Sequence, residues 1–152
     1  MIRLTNLADY AVVLMSELAR TDKRANASDL AAASGIPEPT VSKILGQMKR
    51  AGLLASSRGV KGGFSLAQPP AEISVADVIE AVDGPIALTN CVSTTERECT
   101  LEPVCSMAVH WQTINEAVRG ALAGITLHDI SKPGPVPAFS RPLTPVAEPV
   151  DQ

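Results

Sequence analysis

The sequence predicts a mainly α fold, a winged helix-turn-helix with a two-stranded wing and a long helix towards its C-terminal end. Three observations carry that expectation. Apolar residues recur at helical spacing three times within the first fifty positions. Two short apolar runs then flank the glycine-rich SSRGVKGG, and a further helical stripe spans Met107 to Leu122.

Thr5 or Asn6 can cap the first helix, along which Leu7, Tyr10, Ala11, Leu14, Met15 and Leu18 form one stripe before TDKRAN ends it. Ser28 is the expected cap of a short second helix, SDLAAAS, which stops at Gly35. Pro37 and Pro39 suit the start of a third helix. Val41, Ile44, Leu45 and Met48 are its core stripe, and Gly52 closes it. Thr40, Ser42, Lys43 and Gln47 are assigned to its outer face. In folds of this order the last helix of the triplet enters the major groove, where short polar side chains suit base-edge and phosphate contacts. Leu53–Leu54 and FSLA read as the strands of the wing, with Arg58 and Lys61 in the turn. Glycines on both sides let that turn approach phosphate closely.

Beyond Pro69–Pro70, Ser74 and Asp77 form a capping-box pair ahead of a helix with Val75, Val78, Ile79 and Val82 apolar, ended by Gly84–Pro85. Pro103 is the expected opening of the long helix, whose stripe is Met107, Trp111, Ile114, Val118 and Leu122. Gly124 ends it, and Thr126 starts a last turn, TLHDI. Residues 132–152 contain six prolines and little periodicity, the composition of a disordered tail.

A net charge of −3 conceals a division along the chain. Residues 1–68 hold nine Lys/Arg against five Asp/Glu, whereas residues 69–131 hold two against nine. A basic front and an acidic back suggest two jobs. The expected organisation is a DNA-binding unit over 1–68, a second unit of loop and helices over 69–131, and the tail. No apolar run approaches the roughly 18 residues of a membrane span. MIRLTNLADY lacks the pattern of a signal peptide. Unpaired cysteines without such a signal point to the cytoplasm.

All three cysteines lie in CVSTTERECTLEPVC, with seven residues between Cys91 and Cys99 and five between Cys99 and Cys105. An odd count leaves one thiol over in any disulfide framework, and the spacing matches no zinc-ribbon or finger pattern. Polar neighbours argue against simple burial as core. Soft thiolates on one loop suit iron–sulfur ligation, with structural zinc and a redox disulfide as alternatives.

Together RLTNLADYAV, RGVKGGFSLA and the triple-cysteine loop resemble the Rrf-type winged-helix regulators, IscR-like and NsrR-like proteins among them. The block ISVADVIEAVDGPIALTNC is most similar to the branch of SUF system Fe–S cluster assembly regulators. The resemblance spans roughly residues 1–130. It implies a homodimer through the long helix, a double-stranded operator, and an iron–sulfur cluster that sets DNA affinity, 2Fe–2S ahead of 4Fe–4S. It places the ligand role on Cys91, Cys99 and Cys105. IscR-like proteins carry a histidine three residues after the last cysteine, where this chain has Ala108; His110 lies two positions further on. NsrR-like proteins take a carboxylate from the first helix, where this chain has Asp9. Both stay open as a fourth ligand. Asp9 also suits a helix N-terminus electrostatically, and His110 a plain surface position. The implied function is regulation of the SUF operon by cluster status. An NsrR-like nitric-oxide sensor and a thiol-based cluster carrier or redox protein are the alternatives. Neither histidine belongs to a catalytic triad and no CxxC is present, so an enzyme is not expected.

Overall fold

Alanines at positions 8 and 11 let the first helix be packed from two directions, and the architecture follows from that. The computed structural model describes residues 3–21, 23–93, 99 and 104–132. Helix α1 (Asn6–Thr21) begins at Thr5, whose hydroxyl accepts from the Ala8 amide at 3.0 Å and donates to the Asp83 carboxylate at 2.9 Å. Helix α2 (Ala27–Ser34) is capped by Asn26 rather than Ser28. Asn26 and Asp29 form a reciprocal capping box at the same spacing that marks Ser74 and Asp77. Gly35, at φ +73°, ends α2 and turns the chain into α3 (Glu38–Arg50).

Leu14, Met15 and Leu18 of α1 pack on Val41, Ile44, Leu45 and Met48 of α3, with Leu30 and Ile36 closing the helix triplet. Strands β1 (Leu54–Ser57) and β2 (Gly63–Leu66) pair antiparallel, Leu54 opposite Leu66 and Ser57 opposite Gly63. The ladder therefore runs further into the glycine-rich turn than the expected Leu53–Leu54 and FSLA strands. Ala25 adds an isolated bridge to Phe64, with amide–carbonyl bonds of 3.1 and 2.8 Å. That approach needs glycine beside it: a Cβ on Gly63, at φ +142°, would stand 2.9 Å from the Ala25 carbonyl oxygen.

Past a single 3-10 turn (Pro70–Glu72), α4 (Val75–Asp83) starts with the expected Ser74–Asp77 capping box. Helix α5 (Ala108–Ala123) begins five residues after Pro103, which lies outside the described residues. Helix α6 (Leu127–Ser131) is capped by Thr126 and Asp129. Backbone bonds from Val75 to Ile125 (2.8 Å) and from Leu127 to Ile73 (2.9 Å) join the starts of α4 and α6. The expected boundary at residue 68 does not divide the core: Ile73, Val78 and Leu127 lie in one cluster with α1 and α3. Ala8, Val75 and Ile79 form a second cluster, against which Leu122 and Ile86 pack. The tail over 133–152 lies outside the described residues.

Gly63→Ala should lower stability by roughly 1–3 kcal/mol. Gly59→Ala should cost less, because Gly59 also has positive φ but no neighbour within 4 Å of its Cβ position. Urea unfolding of both variants checks the order; equal losses would mean that the Ala25 approach contributes nothing.

Candidate functional site

Two regions carry the candidate residues, and α4 lies between them. The first is the outer face of α3 with the wing. Ser42 and Lys43 are exposed and Thr40 is half-buried. Gln47 is not on the outer face: its amide donates to the Val82 carbonyl of α4 at 3.4 Å, and its Oε1 is buried without a partner. At 100° per residue, position 47 falls on the flank between the Val41–Met48 stripe and solvent, close enough to α4 to be drawn inward. Two cations of the last turn, Lys49 and Arg50, are exposed and escaped the sequence reading. Arg50 shares a face with Lys43 and Gly46 at i, i+3, i+7 spacing, which was a usable signal. A Cβ on Gly46 would meet only the Arg50 guanidinium, at 3.8 Å. The middle of this face is therefore open backbone flanked by cations.

Arg58 and Lys61 are both exposed in the wing turn, where the Gly62 amide donates to the Gly59 carbonyl at 2.9 Å. Val60 stands at the tip, fully open to solvent. Arg24 donates to the Ser57 hydroxyl at 2.6 Å, adding a side-chain tie to the Ala25–Phe64 bridge at the base of the wing. The wing is a braced hairpin, and its cations can reach phosphate without the hairpin itself having to be ordered.

The second region is the cysteine segment. Gly84 ends α4, and residues 84–93 run without helix or strand towards the first thiol. Cys91 Sγ lies 3.1 Å from the Thr89 hydroxyl. Cys99 and Cys105 are, like Cys91, free and half-buried; the Cys105 carbonyl accepts from the Ala108 amide at 3.4 Å, just ahead of α5. Asp9 is exposed in the first turn of α1 and His110 is exposed in the first turn of α5. Among the described residues, no three or more His, Cys, Asp or Glu side chains gather in a group able to hold a metal ion. The donor set itself suits an iron–sulfur cluster: three unpaired thiols on one short segment, of the soft residue type that such clusters take as ligands.

Helix α5 meets the rest of the chain through polar contacts and the packing of Leu122. Its inward stripe is Trp111, Asn115, Val118 and Leu122, with Asn115 buried where Ile114 was expected. Arg119 forks onto Glu80 of α4, Nε and Nη2 each 2.8 Å from a carboxylate oxygen. The bond from Arg119, assisted by the Ile86 amide, holds the Glu80 carboxyl below its ordinary range against a smaller opposing effect of burial. Bonds from the Thr126 amide and hydroxyl likewise lower Asp129 at the start of α6. No helix among the described residues is long and apolar enough to cross a membrane.

Known proteins resemble this chain over nearly the whole described length. A family model described as Rrf2, iron-dependent transcriptional regulator, matches residues 4–133. The chain is 33% identical over 130 residues to the HTH-type transcriptional regulator NsrR of Geobacillus kaustophilus, covering 84% of this chain and 88% of that one. It is 33% identical over 134 residues to protein aau3 of Rhizobium meliloti, covering 88% and 87%. Among solved structures, CymR, the global cysteine regulator of B. subtilis, superposes with a TM-score of 0.67 at 26% identity, over 86% of this chain and 97% of that one. The fold is shared too with T. potens IscR, at a TM-score of 0.65 and 24% identity over 85% of each chain.

Because the folded-state pKa of Glu80 is depressed, its ion pair stabilises the fold above the ordinary carboxylate range. That contribution is lost as pH falls through the depressed value. Glu80→Gln should therefore lower the urea midpoint near about pH 7 and narrow the gap to wild type near about pH 3. A gap that stays constant with pH would show that the charge on Glu80 contributes nothing.

Proposed function

The chain belongs to the Rrf2 family of iron-dependent transcriptional regulators, and on that footing we propose that a cysteine-ligated iron–sulfur cluster sets its affinity for an operator. Its relatives are transcriptional regulators, and it is a DNA-binding regulator rather than an enzyme. The observation that carries the proposal is the pairing of an open, cationic α3 face and braced wing with three free thiols in one short segment. Lys43, Arg50, Arg58 and Lys61 contact phosphate, while Thr40 and Ser42 supply short polar groups near base edges. Gln47 serves the α3–α4 contact instead.

Cys91, Cys99 and Cys105 would hold the cluster, and either Asp9 or His110 would complete it. Thiolate ligation couples the order of a loop to the supply of its cofactor. On this reading the three thiols are ligated when iron and sulfide are plentiful, and the SUF operon is the target, as the ISVADVIEAVDGPIALTNC block suggests. The regulator acts in the cytoplasm as a homodimer. Val104, Met107, Val109 and Ile114 remain solvent-exposed in and just before α5, apolar surface that a second copy would cover. Twofold symmetry then presents two α3 helices to successive major grooves of a palindromic site.

Anaerobic purification with iron, sulfide and zinc analysis tests the cluster. Iron and acid-labile sulfide in comparable amounts, lost in Cys91→Ser, support it. Zinc alone, or no metal after reconstitution, overturns it. Nitric-oxide titration of the loaded protein, followed by an operator shift, separates an NsrR-like response from an iron response.

Arg58→Ala and Arg50→Ala should each weaken operator binding at all sequences and reduce the slope of log K against log[salt] by about 1. An unchanged salt slope for Arg58→Ala would remove the wing from the interface.

A further inference from the structure

Asn115 is the one residue of α5 that is buried, at 7% exposure. A primary amide is costly to bury unless both its ends are paired. Both are: Oδ1 accepts from the Leu88 amide and Nδ2 donates to the Ile86 carbonyl, each at 2.9 Å. The side chain thus gives residues 86–88 the two bonds that a neighbouring strand would otherwise provide. One turn along α5, the Glu80 carboxylate held by Arg119 also accepts from the Ile86 amide, at 3.3 Å. Side chains of α4 and α5 fix a stretch with no regular structure of its own, and Cys91 stands three residues beyond Leu88. On its other side α4 meets α3 through Gln47 and the Val82 carbonyl.

We infer that Asn115 is a positioning residue for Cys91, and that the α4–α5 pair it locks to the cysteine segment carries the state of that thiol to the recognition helix. The inference deepens the proposed function by naming what connects the two regions. Its first half does not depend on the cluster, because the bonds from Asn115 run to the backbone of residues 86–88 and not to a thiol. Arg119 makes the same connection from the exposed side and plays the weaker part, since a solvated ion pair contributes little.

The test uses the full-length, reduced, metal-free protein and a neutral maleimide, with the alkylated cysteine identified by mass spectrometry. Loss of two ordinary hydrogen bonds in Asn115→Ala should open the segment and speed alkylation of Cys91 by about tenfold or more. Cys105, outside the clamp, should stay within about twofold of its native rate. Alkylating Cys91 should shift operator affinity in the native chain and should shift it less in Asn115→Ala. An unchanged Cys91 rate, or all three thiols speeding together, would overturn the positioning role. No shift of operator affinity on alkylating the native chain would overturn the coupling. If Asn115→Ala does not fold, Arg119→Met serves, with a smaller acceleration confined to Cys91 expected and a uniform one overturning the inference. A chain that binds no cluster leaves these outcomes intact, and their failure leaves cluster analysis unaffected.

Discussion

Helix α1 is pinned between two clusters, and α3, α4 and α6 take their positions from that constraint. Leu14, Met15 and Leu18 are buried against α3, while Ala8 lies in the separate cluster with Val75 and Ile79 of α4. Alanine at positions 8 and 11, both without exposed surface, lets neighbours approach the α1 backbone from both sides. A larger side chain at either position would have to displace packed neighbours, because interiors of this density have few gaps. The Thr5–Asp83 bond fixes the ends of α1 and α4 relative to each other. The reading unit and the cysteine-bearing unit share one core, so a shift of α4 cannot be absorbed by a linker. It must be taken up by α1 or α3.

That shared core gives the uneven charge distribution its meaning. Cations sit where the chain is braced: Lys43, Lys49 and Arg50 on a 13-residue helix, and Arg58 and Lys61 on a hairpin tied to Ala25 and Arg24. Holding cations on rigid elements removes part of the ordering cost from phosphate binding. The acidic half uses its charge differently. Asp77 and Asp129 cap helices, Asp83 ties down Thr5, and Glu80 receives Arg119. Four carboxylates of the acidic half are thus committed to internal structure.

Most of the architecture was legible because its signals are local. The apolar stripes of α1 and α3, and the Ser74–Asp77 capping box, were read at their observed places. The cap of α2 was misplaced by two residues, although Asn26 and Asp29 carry the same three-residue spacing. Gln47 was misread and Asn115 passed over for one reason. Helical periodicity assigns polar residues to solvent, yet each of these amides is drawn inward by a backbone segment distant in sequence, Val82 in one case and Ile86–Leu88 in the other. No local pattern announces such a partner. The cysteines were legible as donors, since thiol chemistry is written in residue type. Whether they meet at one point is not written there, because that depends on loop conformation that no periodicity governs. Pro103, expected to open α5, and the proline-rich tail fall outside the described residues.

Helix α5 departs from the usual arrangement of an amphipathic helix at its most buried position. It turns an amide inward and leaves Val109 at 76% and Ile114 at 40% exposure. A 16-residue helix gains little from propensity alone and depends on tertiary contacts. Inside the subunit those contacts are Asn115, the Arg119–Glu80 fork and the Leu122 packing. Polar clamps of this kind fix geometry while adding little net stability, since each bond replaces one to water. The apolar residues left outside must then supply the stabilisation, and under the proposed pairing they do so against a second copy. The same helix would thus set the spacing of two recognition helices and hold the segment leading to Cys91. On that reading a change at the thiols reaches the operator through α5 and α4, with α1 or α3 taking up the shift.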